Sequence, residues 1–215
     1  MKQHSLNFGF TARYFQLGEL NKTTKNIFFV FHGHGQLSKY FIRKFSSLDN
    51  GTNCIIAPEG LSRYYLEGYS GRVGATWMTK EDRLRDIDNY LSYLDALFLK
   101  YEAALHDNVN IIIVGFSQGA ATASRWVTSS PIRFDSLVLW AGIFPPDMNI
   151  DFASQKLKNK VVKYVYGEKD PLLTADKLEE MHKISQQLNI QPDVLTFNGA
   201  HEIAPEIFPS VFDLH

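Results

Sequence analysis

The sequence predicts an α/β protein: a mostly parallel, doubly wound sheet flanked on both faces by helices. Three observations carry that reading. Strand-length apolar runs recur at 26–32 (NIFFVFH), 53–58 (NCIIAP), 110–115 (NIIIVG), 135–141 (DSLVLWA), 161–166 (VVKYVY) and 192–197 (PDVLTF). Most are apolar at consecutive rather than alternate positions, the pattern of strands covered on both faces. Segments of helical period separate them, and strand–helix–strand alternation implies right-handed crossovers onto parallel neighbours.

The elements follow in order. The first twenty residues, in SLNFGFTARYFQLGEL, alternate weakly and predict a hairpin at one sheet edge. Leu84, Ile87, Leu91, Leu94, Phe98, Tyr101 and Leu105 recur every three or four residues and draw one apolar stripe along a helix. Leu178, Met181, Ile184 and Leu188 draw another. The stretch 59–80, EGLSRYYLEGYSGRVGATWMTK, has neither period, and loops of that length are uncommon unless functional. No linker, repeat or low-complexity tract divides the chain, so residues 1–215 are expected to form a single domain.

Composition narrows function by exclusion. The chain is 45% hydrophobic, enough to bury a sizeable core. Lys and Arg number 22 against 23 Asp and Glu, a net charge of −1, and no basic run is interleaved with aromatics. That balance points away from nucleic-acid partners. The only cysteine, Cys54, excludes an intrachain disulfide and reads as a small core residue. MKQHSLNFGF lacks the apolar core of a secretory signal, and no apolar run approaches the roughly eighteen residues of a membrane span. The expectation is a cytoplasmic monomer or homodimer without stable membrane insertion.

The chemistry concentrates in IIIVGFSQGAATASRW, residues 111–126. A buried strand runs into Gly115-Phe116-Ser117-Gln118-Gly119, of form G-x-S-x-G, and a helix of small residues begins behind it. Glycines on both sides permit a tight turn that lifts the serine to the carboxyl end of the sheet, where ligands bind in open α/β folds. The plainer alternative is a serine that only caps its helix. A serine nucleophile requires a base. Of seven histidines, His4 and His215 are terminal, His106 and His182 lie on helical segments, and His32 and His34 share a glycine loop. His201, in GAHE after the last strand, is the expected base.

An imidazole needs a carboxylate to fix its tautomer. Asp170, in GEKDP after VVKYVY, supplies it in the chain order Ser…Asp…His. Glu168 is the second choice; Asp193 is disfavoured because it enters a strand rather than leaving one. Asp170 could instead merely open the turn before Pro171. Two backbone N–H groups are expected to bind an oxyanion: Gln118 at its helix N-terminus and His34 in His32-Gly33-His34-Gly35. An H-x-H pair could be half of a metal site, but no second pair or Asp-His neighbour completes it, so no metal is assigned. Tyr64, Tyr65, Tyr69, Trp77, Phe144 and Pro145 are candidates for an apolar substrate pocket, with ordinary packing the alternative for each.

The set HGHG, APEG, GATW, GFSQG, GEKDP and GAHE, in this order over roughly residues 26–208, resembles the phospholipase/carboxylesterase family of α/β-hydrolases, which includes acyl-protein thioesterases and small bacterial carboxylesterases. GFSQG is its most specific element. The resemblance implies an α/β-hydrolase fold with little or no cap and no cofactor. It implies a Ser117–Asp170–His201 triad and an oxyanion hole from the Gln118 and His34 amides. The implied partner is a small-molecule ester or thioester, cleaved through an acyl-enzyme. A peptidase or amidase on the same triad, and a non-catalytic ligand-binding relative, are the alternatives. The chain departs from the family at His34, where an aliphatic residue is commoner, and in its aromatic segment RYYLEGYSGRVGATWMTKEDR.

Overall fold

The apolar runs become strands because each finds cover on both faces. In the computed structural model, which describes residues 1–213, the chain begins with β1 (Tyr14–Leu17), β2 (Asn26–Phe31) and a one-turn helix α1 (Ser38–Phe41). A 3-10 helix (Ile42–Leu48), β3 (Asn53–Pro58), β4 (Ser62–Tyr65), β5 (Val73–Thr76) and α2 (Arg83–Glu102) follow. Then come β6 (Asn110–Phe116), α3 (Gln118–Ser129), β7 (Ser136–Trp140), α4 (Ile150–Leu157) and β8 (Val161–Gly167). Helix α5 (Ala175–Gln187), β9 (Asp193–Phe197) and α6 (Phe208–Val211) complete it. The last two residues of the expected 1–215 domain, His215 among them, lie outside the described residues.

The main sheet has the order β1-β3-β2-β6-β7-β8-β9, parallel except for β1, which runs antiparallel to β3. Alternation sorts each strand between two cores. Ile27, Phe29, Phe31, Ile111 and Ile113 meet α2 and α3 through Leu94, Phe98, Ala123 and Trp126. Phe28, Val30, Ile112 and Val114 meet the opposite layer, built on Phe41, Phe45, Phe208 and Val211. This two-sided cover explains the consecutive apolar residues in the sequence. Cys54 is buried in the first core, and burial pushes its thiol up to about 12.

The sheet order reverses at β2: the chain passes to β3 on one side and later returns to β6 on the other. Such a switch point opens a crevice beyond the strand carboxyl ends. It lies between the loop after β2 and the turn after β6, where His34 and Ser117 sit.

Three sequence expectations are corrected. The N-terminal hairpin is a single edge strand, β1; residues 1–13 form no strand. Exposed Leu6, Phe8 and Phe10 have no sheet face to cover, so their alternation has nothing to act on. The supposed structureless stretch 59–80 contains the β4–β5 hairpin, paired from Ser62–Thr76 to Tyr65–Val73. Helix α2 ends at Glu102, leaving His106 in a loop, and its buried stripe is Tyr90, Leu94, Leu97, Phe98 and Tyr101, with Leu84 exposed.

Candidate active site

Ser117 occupies a strained turn between β6 and α3. Its φ of 54° and ψ of −118° are unusual for a residue with a side chain, a conformation that costs about 1–3 kcal/mol and persists only when its surroundings enforce it. The enforcement is visible. The Ser117 amide donates to the Trp140 carbonyl at 2.9 Å, and its carbonyl accepts from the Ala120 amide at 2.9 Å. Side chains at Gly115 or Gly119 would collide with backbone, at Gly119 and Ala120 in the first case and at Phe31 and His32 in the second. Only glycine lets β6, α3 and the end of β2 approach this closely.

Asp170 and His201 follow β8 and β9 at the same edge, with β7 between those strands and β6. His201 and Asp170 share a 2.7 Å contact between Nδ1 and Oδ2. The other carboxylate oxygen of Asp170 accepts from the Leu172 amide at 2.9 Å. The Asp170 side chain is fully buried and His201 is 23% exposed. A buried carboxylate with both oxygens engaged holds Nδ1–H of the imidazole, which leaves Nε2 as the proton acceptor. Nε2 has no hydrogen-bond partner among the described residues.

The two loops are pinned by backbone: Glu168 donates to Phe197 and Lys169 to Gly199, each at 2.9 Å. Trp140 Nε1 donates to the Glu202 carbonyl at 2.8 Å, tying the histidine loop to β7. The His201 ring lies 4.9 Å from the Phe116 ring, beside the serine in the chain. No hydrogen bond joins Ser117 to His201 among the described residues; such contacts often tighten only when substrate binds. Glu168 takes another role, accepting from Thr196 at 3.0 Å, and Asp193 opens β9 away from this edge.

On the other side of Ser117, the amides of His34 and Gln118 have no hydrogen-bond partner among the described residues. The Gln118 side chain is the opposite, fully engaged. Its Oε1 accepts from Thr76 Oγ1 at 3.0 Å and the Trp77 amide at 3.2 Å, and its Nε2 donates to the Met78 carbonyl at 2.9 Å. Gln118 thus clamps the strand end after β5 against the turn. His34 joins the same cluster, with Nδ1 3.2 Å from Thr76 Oγ1 and Nε2 2.6 Å from Tyr64 Oη. Its neighbour His32 is wholly buried, accepts the Gly60 amide at Nε2 (3.0 Å) and stacks on Trp77. Burial pushes its pKa down to about 4, so it is neutral and structural. Both histidines of the H-x-H pair are therefore held by protein partners, and no cluster of three or more His, Cys, Asp or Glu stands among the described residues.

A model of the phospholipase/carboxylesterase family matches residues 19–213. The chain belongs to that family. No curated protein matches its sequence. Solved structures resemble it at the level of fold. Acyl-protein thioesterase 2 of Zea mays has a TM-score of 0.70 at 17% identity, covering 94% of this chain and 97% of that one. A phospholipase/carboxylesterase of Dyadobacter fermentans gives 0.65 at 17% identity, with 97% and 98% covered. The Bacillus cereus carboxylesterase gives 0.64 at 15%, with 94% and 93% covered.

Within this phospholipase/carboxylesterase fold, the six aromatic and proline candidates separate. Trp77 and Phe144 are corrected to core residues: Trp77 packs on Phe31, His32 and Tyr90, and Phe144 meets Tyr164 edge-on. Pro145 is buried beside Phe144. Tyr65 is 49% exposed and Tyr69 97% exposed on the hairpin, so neither is enclosed. Tyr64 alone reaches the crevice, through His34. Sequence reading missed the positioning roles of Thr76 and the Gln118 side chain. GATW and GFSQG each stand out as motifs, but Thr76 and Gln118 are 42 residues apart and their contact is purely spatial.

Proposed function

We propose that the protein is a serine esterase that hydrolyses carboxylic esters or thioesters through an acyl-enzyme. The observation that carries the reading is the buried Asp170–His201 pair at the strand ends beside a strained Ser117. In the first half-reaction His201 Nε2 takes the hydroxyl proton and Ser117 Oγ attacks the carbonyl carbon. The amides of His34 and Gln118 bind the developing oxyanion, a role worth about 3 kcal/mol for each donor. His201, now an imidazolium stabilised by Asp170, protonates the departing alkoxide or thiolate. Water then enters, gives a proton to His201 and attacks the acyl carbon; His201 returns that proton to Ser117 Oγ as the acid leaves.

Every step is a proton transfer or an acyl transfer, so the scheme needs no cofactor. The path from β7 to β8 carries only the eight-residue α4 between its loops, which leaves no room for a large lid. An open crevice of this kind favours small, water-soluble esters over packed lipid.

The test combines an active-site label with a substrate series. A fluorophosphonate probe is expected to label the protein once, and Ser117→Ala to abolish labelling. Among p-nitrophenyl esters from acetate to dodecanoate, monomeric short-chain members are expected to turn over fastest. Labelling that survives Ser117→Ala, or a much higher rate on micellar lipid, contradicts the reading.

A further inference from the structure

Beside the His34–Gly35 turn lies a cavity of about 600 Å³ that the triad does not use. Its apolar wall is Leu37, Phe41, Leu66 and Val73, and Lys44 and Arg72 line it as well. It adjoins the candidate site at two places. Gly35 follows the His34 amide directly, and a side chain there would touch Leu66 and the Tyr64 hydroxyl. Phe41 packs on Phe116 at 6.0 Å, and Phe116 on His201 at 4.9 Å.

The cavity carries positive charge that no carboxylate offsets. Several cations elsewhere are matched: Arg13 and Arg63 share Glu59, Arg83 and Arg125 share Asp147, and Lys163 meets Asp213. Lys44 and Arg72 have no carboxylate partner among the described residues. The buried carboxylate of this end of the molecule, Glu59, is already taken by Arg13, Arg63 and the Ser38 amide. Glu67, next to Leu66 in the chain, makes no ion pair with either. Two further cations stand at Tyr40, where Arg43 and Lys39 lie 5.3 and 5.9 Å from the ring centroid. An apolar cavity lined by two exposed cations without carboxylate partners fits a ligand that is apolar in the middle and anionic at its end.

We propose that this cavity is a subsite for an anionic substrate, taking an acyl chain that ends in a carboxylate held by Lys44 and Arg72. The inference rests on the esterase reading of Ser117. The acyl side is assigned because the cavity is walled by the oxyanion loop, α1, its 3-10 extension and the β4–β5 hairpin, and by no residue of the Asp170 or His201 loops. Those loops serve the leaving group.

The experiment compares mono-p-nitrophenyl adipate with p-nitrophenyl hexanoate, which match in chain length and leaving group and differ in terminal charge. The ratio of their kcat/KM values is expected to favour the adipate half-ester by about tenfold, the size expected of hydrogen bonds to a charged group. Lys44→Gln combined with Arg72→Gln is expected to return that ratio to about one, and Lys44→Glu with Arg72→Glu to invert it. A wild-type ratio of one or less, or a ratio the substitutions do not move, overturns the proposal. So does a preference for 4-(hexanoyloxy)benzoate, whose carboxylate sits on the leaving group. Calorimetry on Ser117→Ala with monomethyl adipate separates this idea from the esterase reading. Binding that needs Lys44 and Arg72, with no ester turned over by the wild type, sustains the subsite and overturns the esterase. Turnover without adipate preference does the reverse.

Discussion

The two sides of Ser117 are built on different principles. Toward β8 and β9, the Asp170 and His201 loops are locked by backbone hydrogen bonds, and the carboxylate is fully buried. Toward β2 and the hairpin, the crevice is bounded by side chains: His34 and Tyr64 at 2.6 Å, Thr76, and the clamp of Gln118. The first arrangement fixes one geometry for proton transfer, while the second can change its side chains without moving the sheet. On the proposed esterase reading the difference puts chemistry on one flank and substrate choice on the other, and it ranks what substitutions do.

The largest losses belong to the acid–base flank. Ser117→Ala or His201→Ala is expected to lower kcat by at least about 10⁴-fold, since triad members act as a unit. Asp170→Asn keeps the fold but offers Nδ1 the wrong partner, and a fall in kcat of about 10³–10⁴-fold is expected with KM little changed. If Asp170→Asn left kcat within tenfold of wild type, the buried pair would lose its assigned role.

A stability effect comes next. The pKa of His32 is held down by burial from 6.5 to about 4, so protons favour the unfolded chain. Its contribution is fully present above pH 6.5 and is lost as the pH falls towards 4, a change of about 3 kcal/mol. Urea denaturation at pH 7.5 and 4.5 is expected to reveal a fall in the wild type that His32→Asn flattens. An equal slope in both proteins would assign the acid lability elsewhere.

Effects on the opposite flank are smaller. Gln118→Ala keeps the backbone donor but removes three side-chain hydrogen bonds and strands the Trp77 amide, for about 2 kcal/mol. Calorimetric melting is expected to drop by roughly 4–8 °C. Tyr64→Phe frees the half-exposed end of the His34 network and is expected to shift KM less than about threefold, with kcat retained. A kcat effect from Tyr64→Phe as large as that of Asp170→Asn would erase the contrast between the flanks.

The same contrast explains what the sequence made legible. Buried strands such as NIIIVG and VVKYVY announce themselves because both faces must be apolar. Asp170 and His201 announce themselves because each follows such a strand. The hairpin was hidden because Ser62–Tyr65 is mostly exposed and buries no alternating face of its own. Trp77 misled for a related reason: it stands in a loop-like stretch, yet its ring closes the core over Phe31. The cavity wall could not be read at all, since residues 35–44 and 66–73 meet only after the hairpin folds back, joined by the Gln36–Ala75 bridge.

The account turns on one covalent bond. Rapid quenching of the protein with a p-nitrophenyl ester, followed by peptide mass spectrometry, is expected to find the acyl group on the peptide containing Ser117. His201→Ala is expected to abolish that adduct. An acyl group on any other residue, or turnover with no adduct on Ser117 at any quench time, would contradict it.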